Sequence, residues 1–202
     1  MYPGLVPSSD LRATVLKAAV DFIAEHGPDG LSFRQVAAAA GVSHQAPYHH
    51  FTDRKGIFQA IALEGFTKFD AALRTAEQRR DIDTSTALLE GYVEFALTHP
   101  GHFRVMFRTD LTGVGENHEL ARVADTSFDV LVDHVKGVLG PRASVDQIRE
   151  RVVTMWSIAH GLATLLIDGP LELKVGRVSD RQALVRAVAV QSGMAGAQPT
   201  AT

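Results

Sequence analysis

The sequence contains no cysteine, and its 202 residues include a single tryptophan. The missing thiols exclude disulfide bonds, zinc sites built on thiolates and cysteine nucleophiles, and they fit a reducing compartment. Long apolar runs are also missing, because His, Asp or Gly interrupts each of them well short of the ~20 residues that span a bilayer. The first ten residues, MYPGLVPSSD, lack the basic and apolar regions of a signal peptide. We therefore expect a soluble, cytoplasmic protein with no membrane partner.

An excess of positive charge is missing as well. The formal net charge is −3, from 20 Lys and Arg against 23 Asp and Glu. Residues 8–56 hold five charged residues of each sign, so the remainder of the chain carries the acidic excess. Composition alone therefore gives little support to nucleic-acid binding, which has to be argued from motifs. The hydrophobic content of 46% is enough to form a sizeable core.

The order of apolar residues predicts an all-α protein with about nine helices. Strand-like alternation is scarce, whereas apolar residues recur at intervals of three and four. Ser43, Asp53, Ser144 and Ser179 are predicted helix caps, and glycines mark most of the breaks. The predicted helices cover residues 10–26, 33–40, 43–50, 54–79, 84–98, 100–109, 117–139, 145–168 and 180–193.

Residues 32–51 have the pattern of a helix-turn-helix. Ser32 and Gln35 form a predicted capping box at the start of one short helix, and Gly41 stops that helix. The turn AAGVS is short, and its glycine supplies the positive φ that a tight turn needs. The helix that follows the turn projects from the N-terminal helices, so its first residues are placed to enter a major groove of DNA.

The side chains of that projecting helix fit contacts with DNA. Gln45 can hydrogen-bond an adenine edge through two atoms, and Pro47 or its neighbouring alanine can contact a thymine methyl. Tyr48, His50 and Lys55 suit phosphate oxygens, which position a protein without reading sequence. An ordinary helical hairpin would show part of the same pattern, with polar side chains that simply face solvent. The predicted DNA-binding set is Ser32, Arg34, Ser43, His44, Gln45, Ala46, Pro47, Tyr48, His49, His50 and Lys55.

Residues 27–62, GPDGLSFRQVAAAAGVSHQAPYHHFTDRKGIFQAIA, closely resemble the DNA-binding domain of the tetracycline-repressor (TetR) family. The shared features are the AGVS turn, the YHHF segment that ends the motif, and the charged DRKGIF segment that starts the fourth helix. The resemblance implies a transcriptional repressor that binds double-stranded operator DNA as a homodimer. Its two recognition helices would enter successive major grooves of a near-palindromic operator. Pro47 is a departure, because many members have Leu or another helix former there.

A second, looser resemblance concerns the rest of the chain. HPGHFRVMFR (99–108) and MWSIAHGLATLLIDG (155–169) look like a C-terminal class of this family marked by Trp156, His160 and Gly161. This resemblance implies an apolar effector cavity whose walls are helices four to seven together with the helix that carries Trp156. Three domains are implied. Residues 8–53 form a DNA-binding head, and residues 54–194 form an effector-binding and dimerisation domain that begins with the linking fourth helix. Residues 195–202 form a flexible tail.

Aromatic residues gather in this second domain, and by spacing most of them face inward. Each is a core residue or part of a small-molecule pocket, since such pockets are concave and mostly apolar. Tyr92, His134, Trp156 and His160 are available as polar groups, and His160 in an apolar helix needs a hydrogen-bond partner from the core or from a ligand. The predicted effector pocket comprises Phe66, Phe69, Tyr92, Phe95, Phe103, Phe107, Phe128, Trp156 and His160.

The last two long helices, 145–168 and 180–193, are apolar on more than one face. A helix that is apolar all round must be buried, and in a chain of this size part of that surface is expected to meet a second copy. The resemblance implies a four-helix dimer interface built from these helices.

Catalytic and metal sites find little support in the sequence. His99 and His102 have a spacing found in metal sites, but no neighbouring carboxylate completes a ligand set. The GVG at 113–115 follows no strand, so it is not a dinucleotide motif. We therefore expect no enzyme activity, no metal and no cofactor. The alternatives are an all-α enzyme or small-molecule carrier that uses the C-terminal cavity, and an activator or nucleoid-type protein without an effector.

Overall fold

Regular structure is entirely helical in the computed structural model, which describes the backbone of residues 8–195 and the side chains of residues 11–169 and 171–195. The all-α prediction is confirmed. Apart from residue 195, the predicted tail lies outside the described residues. The helices are α1 (Ser8–His26), α2 (Phe33–Ala40), α3 (Ala46–His50), α4 (Arg54–Glu77), α5 (Thr84–Thr98), α6 (Pro100–Met106), α7 (Thr109–Thr112), α8 (His118–Leu139), α9 (Val145–Ile167), α10 (Pro170–Val175) and α11 (Arg181–Gln191).

Three of the predicted caps form, although the predicted capping box at Ser32 is incomplete. The Ser32 hydroxyl accepts from the Gln35 N–H at 3.3 Å at the start of α2, although the Gln35 side chain accepts from the same hydroxyl rather than reaching back to the main chain. Asp53 accepts from the Gly56 N–H at 2.8 Å at the start of α4. Ser144 and Gln147 form a complete capping box at the start of α9.

Two predicted caps are wrong, one by two residues and the other by one. Gln45 rather than Ser43 occupies the N-cap position of α3, because residues 43–45 form a turn in which the Ser43 carbonyl accepts from the Ala46 N–H at 3.0 Å. Asp180 rather than Ser179 caps α11, accepting from the Ala183 N–H at 2.9 Å. Asp is as good a cap as Ser, so composition alone does not separate adjacent candidates.

The sequence predicts about nine helices, and the structure adds two short ones in segments that were expected to be irregular. They are α7 and α10, and a 3₁₀ turn at Val114–Glu116 follows α7. α6 ends at Met106, three residues earlier than predicted.

The chain divides into two compact units. Unit 1 contains the described residues up to Phe66 together with His99–Val123, and unit 2 contains Thr67–Thr98 and the described residues from Ala124 onward. The division falls within α4 and within α8. Unit 1 therefore holds more than the three N-terminal helices, and the functional assignment of residues 8–53 and 54–194 stays a prediction.

In unit 1, α1 contacts α2, α3 and α6. Its buried face includes Val15, Ala19 and Ile23. α6 approaches α1 closely because its second residue is glycine: a Cβ on Gly101 would lie 2.3 Å from the Val20 carbonyl oxygen. Arg104 of α6 also donates hydrogen bonds to the carbonyls of Ile23 and Ala24, at 3.2 and 2.6 Å. These carbonyls lie near the C-terminus of α1, where main-chain oxygens run short of donors within the helix itself.

In unit 2, α5 packs against both α9 and α11. The buried Glu90 of α5 accepts hydrogen bonds from Arg79 and from Arg186 of α11, the latter at 2.6 Å. Burial by itself would raise the pKa of this carboxyl, but the hydrogen bonds from Arg186 and Arg79 outweigh it and lower the pKa. A charged Glu90 therefore ties α11 to α5.

None of the described helices is both long enough and apolar enough to cross a membrane.

Candidate DNA-binding surface and effector cluster

The predicted helix-turn-helix is present in unit 1. α2 ends at Ala40, and Gly41 follows in the left-handed conformation, with φ of 66°, as the sequence predicts. The Val42 N–H donates to the Ala37 carbonyl at 3.1 Å, which closes the turn. α3 then begins at Ala46, so the turn itself carries Ser43, His44 and Gln45.

The start of α3 is anchored in the interior of unit 1. Ala46 and Pro47 are buried, and Pro47 lies in the first turn of the helix, where its missing N–H costs little. Both side chains are buried in the single chain and expose no surface to a thymine methyl, so the structure gives this part of the predicted base-contacting set no support. Phe33 of α2 packs edge-on against the Tyr48 ring, with centroids 4.4 Å apart.

The other predicted DNA-contacting side chains reach the surface of unit 1. His50 and Lys55 are half-buried, and Tyr48 is 53% exposed despite its contact with Phe33. The exposed members are Ser32, Arg34, Ser43, His44, Gln45, Tyr48 and His49. The side chains on this surface are of the types that can read base edges and bind phosphate oxygens, and their roles stay predictions.

The first turn of α4 holds two cations in different surroundings. Arg54 donates to the carbonyls of Pro28 and Asp29, both at 2.7 Å, and its guanidinium lies 5.0 Å from the centre of the Phe58 ring. Lys55 forms an ion pair with Glu116 at 2.6 Å. This pair joins residues 61 positions apart, so no local sequence pattern predicts it.

The nine residues of the predicted effector pocket form one aromatic cluster in each unit. In unit 1, Phe107 meets Phe66 and Phe103 edge-on at 5.6 and 5.5 Å. The cluster of unit 2 runs through successive ring contacts of 5.0 to 6.5 Å and consists of Phe95, Phe69, Tyr92, His160, Trp156 and Phe128. That all nine line one cavity stays a prediction.

The cluster of unit 2 has a polar centre and an exposed end. The Tyr92 hydroxyl and His160 Nδ1 are 2.9 Å apart, which provides the hydrogen-bond partner that His160 was expected to need. Burial raises the pKa of Tyr92 and lowers the pKa of His160, so both groups are uncharged near neutral pH. Phe128 and Trp156 are 38% and 37% exposed, so these two do not share the inward orientation of the other aromatics.

Three other histidines also lie in defined surroundings. His134 bonds to the Ser85 hydroxyl at 2.9 Å, and burial lowers the pKa of its ring. The ring centres of His99 and His102 are 5.8 Å apart. The carboxylate of Glu64 on α4 lies 3.4 Å from His102 Nε2, and the sequence did not predict this neighbour. Among the residues that the structure describes, no group of three or more His, Asp or Glu side chains could hold a metal ion.

Comparison with known families agrees with this geometry. The family described as "Bacterial regulatory proteins, tetR family" matches residues 15–61, which contain the helix-turn-helix. The family described as "Tetracyclin repressor-like, C-terminal domain" matches residues 85–191, more than half of the chain. The chain belongs to the TetR family. The resemblance seen in residues 27–62 is thereby confirmed, and the second match includes Trp156, His160 and Gly161.

Curated relatives match this TetR-family chain mainly through its N-terminal part. The class A tetracycline repressor from an Escherichia coli transposon is 41% identical over 49 residues, covering 24% of this chain and 23% of its own length. The transcriptional repressor AcnR of Corynebacterium glutamicum is 40% identical over 53 residues, covering 26% and 28%. A regulator from Bacillus subtilis is 26% identical over 90 residues, covering 44% and 47%. The chain thus spans about half, or less, of the length of these relatives.

Solved structures extend the similarity to nearly the whole TetR-family chain. A protein of unknown function from Rhodococcus sp. RHA1 is 31% identical and has a TM-score of 0.70, with 92% of this chain and 96% of that chain covered. The fatty acid degradation regulator FadR from Bacillus halodurans is 18% identical and has a TM-score of 0.68, with 98% and 99% covered. At that identity the second likeness shows the fold alone.

Proposed function

We propose that this TetR-family regulator is a cytoplasmic repressor that binds operator DNA as a homodimer and releases it when a small apolar molecule binds. The observation that carries the proposal is the helix-turn-helix of unit 1, whose turn and short α3 present exposed polar side chains beyond a buried anchor at Ala46 and Pro47. No catalytic role is proposed for any residue.

The base-reading role falls to the turn before α3 and to the exposed face of α3. Gln45 is exposed at the N-cap of that helix, and the N-terminal end of a recognition helix is the part that reaches base edges. Tyr48, His50 and Lys55 are assigned to phosphate oxygens, together with Ser32 and Arg34 at the start of α2.

Gln45→Ala is expected to weaken operator binding by roughly 1–3 kcal/mol and to relax the base preference at one position of each half-site. The reason is that an amide pairs with one base edge through two hydrogen bonds, and alanine offers neither. The measurement is a gel-shift titration on the DNA upstream of the protein's own gene, repeated with single-base variants of the bound sequence. Gln78→Ala makes the same chemical change at an exposed position after α4 and serves as the control. Unchanged affinity and unchanged base preference in Gln45→Ala would show that another element reads the operator.

The homodimer is proposed to form through α9 and α11. Both helices expose large aliphatic side chains to solvent in the single chain, among them Val153, Leu165 and Val190. By contrast, Leu166 of α9 and Val188 of α11 are only half-exposed, so they offer less apolar surface to a partner. Removal of such exposed apolar surface from water favours association.

Effector release is proposed to act through α4, which carries Lys55 in its first turn and Phe66 and Phe69 farther along the same helix. A ligand shifts this equilibrium only if it binds the form that does not hold DNA more tightly. A coupling of about 1–3 kcal/mol, or about 5–150-fold in affinity, is sufficient. The uncharged Tyr92–His160 pair among aromatic rings supports an apolar or aromatic ligand with a hydrogen-bonding group.

An effector that binds the unit 2 cluster is expected to change the emission of Trp156, the only tryptophan, at the concentrations that release operator DNA. The compounds to test are a panel of uncharged aromatic and aliphatic molecules, titrated into the protein–operator complex. Trp156→Ala should raise the releasing concentration about 10-fold or more, because it removes a ring that contacts both Phe128 and His160, while operator affinity stays within a few-fold. Phe22→Ala, which removes a ring from α1, is the control. A compound that releases DNA equally well from Trp156→Ala and leaves the emission unchanged would place the effector site elsewhere.

A further inference from the structure

The side chain of Lys55 is held against another part of unit 1. Its ammonium lies 2.6 Å from Oε2 of Glu116, in the 3₁₀ turn that follows α7. Its last carbons cross directly over Gly113: a Cβ on that glycine would lie 2.4 Å from Lys55 Cε and 2.5 Å from Nζ. The missing side chain at Gly113 thus provides the space in which Lys55 rests.

The segment that bears Glu116 is itself fixed to α4 at both ends. Gln59, one turn after Lys55, donates to the Thr112 carbonyl at 2.9 Å and accepts from the Asn117 side chain at 3.2 Å. Asn117 in turn accepts from the Leu120 N–H at 3.0 Å and so caps the first turn of α8. Glu116 is therefore kept within reach of Lys55 by contacts that do not depend on the ion pair.

We propose that Glu116 competes with operator phosphate for the ammonium of Lys55 and thereby lowers the affinity of the protein for DNA. This inference rests on the proposed function, in which Lys55 contacts a phosphate. The carboxylate is 74% exposed and the lysine 38% exposed, and an exposed ion pair of this kind is weak enough for another anion to replace. Glu116 is then a positioning residue, since it acts on DNA through Lys55.

Competition of this kind has two consequences that a purely structural ion pair does not have. First, DNA binding must break the Lys55–Glu116 pair, so the pair subtracts from affinity for every DNA sequence alike. Second, the effect must depend on salt, because a phosphate contact releases a counterion and an exposed ion pair is screened.

The test compares Glu116→Gln with the unchanged protein on operator DNA and on a mixed-sequence DNA duplex. Glutamine keeps the size of the side chain and removes the charge. We expect about two- to five-fold tighter binding to both DNAs at low salt, the range that the strength of an exposed pair allows, and a gain that shrinks as salt rises. Glu119→Gln removes the same charge from the first turn of α8, three residues away, and should give a clearly smaller gain.

Lys55→Ala and the double variant Lys55→Ala/Glu116→Gln complete the experiment. Lys55→Ala should weaken binding to both DNAs and reduce the salt slope by about one, and in its presence Glu116→Gln should no longer tighten binding. If Lys55→Ala binds DNA as the unchanged protein does, the phosphate contact assumed in the proposed function is wrong. If Lys55→Ala weakens binding but Glu116→Gln leaves it unchanged or weakens it, Glu116 does not compete. The proposal is overturned if Glu116→Gln still tightens binding in the double variant, or if Glu119→Gln tightens binding as much as Glu116→Gln does. In either case the tighter binding would come from the loss of a negative charge in general and not from the release of Lys55.

Discussion

Gly101→Ala is expected to destabilise the protein by about 3 kcal/mol, near the upper end of the usual cost of forcing an extra carbon into a packed interior. The added Cβ would lie 2.3 Å from a backbone oxygen of α1, that of Val20, and main-chain atoms cannot rotate aside as a flexible side chain can. α6 must therefore move away from α1, which also weakens the hydrogen bonds from Arg104 to the carbonyls of Ile23 and Ala24. For a chain of this length the change corresponds to a fall of roughly 6–12 °C in Tm.

Thermal and urea unfolding of Gly101→Ala and Gly161→Ala check this expectation. Gly161 lies inside α9, and a Cβ there would meet nothing within 4 Å. Because alanine is the better helix former, Gly161→Ala should leave stability unchanged or raise it by up to ~1 kcal/mol. Equal stability of the two variants would mean that α6 and α1 do not pack as closely as described.

Leu165→Arg combined with Val190→Arg is expected to convert the protein to a monomer and to reduce operator affinity by about 100-fold or more. An arginine placed in an apolar interface would have to lose its hydration without gaining a partner. The monomer keeps one reading head and loses the second, whose tethering contributes about 10²–10⁴-fold in bivalent binding. Both side chains are exposed in the single chain, at 43% and 67%, so the substitutions should not disturb its fold.

Light scattering and gel shifts on the same samples measure the two effects. Ala71→Arg, at an exposed position on α4, adds the same kind of charge outside α9 and α11 and should leave the dimer intact. A double variant that remains dimeric would place the interface on other helices. A monomer that still binds the full operator with unchanged affinity would show that dimerisation contributes nothing to DNA binding.

The parts of the fold that could be predicted from sequence are those that depend on residues close together in the chain. Gly41 and the cap at Ser32 are local features, and both appear in the structure because a left-handed turn and an N-terminal cap involve only a few neighbouring residues. The same reasoning placed the caps of α4 and α9 correctly. It failed by one residue at Ser179, because the adjacent Asp180 satisfies the same rule.

The start of α3 shows why a correctly predicted motif did not give the correct helix start or the correct exposed residues. The sequence predicts a helix from Ser43 with its first residues facing DNA, and in a helix of that register Ala46 and Pro47 would be candidates for base contact. The actual helix begins at Ala46, and both residues face the interior. The direction of a five-residue helix is set by its packing against α1 and α2, and sequence spacing carries no information about that packing.

The electrostatic features of the candidate sites were beyond sequence reasoning because each joins distant segments. Glu116 meets Lys55, and Glu64 meets His102, across separations that no local pattern encodes. Glu90 would appear from the sequence to be an ordinary surface carboxylate on a helix, yet it is buried and bonded to two arginines.

The contact between α6 and α1 also affects how the protein is made. Arg104 reaches carbonyls 81 and 80 positions earlier in the chain, and unit 1 is completed only by residues up to Val123. During synthesis, at about 5–20 residues per second, the helix-turn-helix leaves the ribosome several seconds before the helix that covers α1. The emerging head therefore carries an uncovered apolar face through that interval, and a fragment that stops after α4 keeps it permanently. The reading head of this protein therefore becomes a finished folding unit only after translation has passed Val123, well beyond the helix-turn-helix itself.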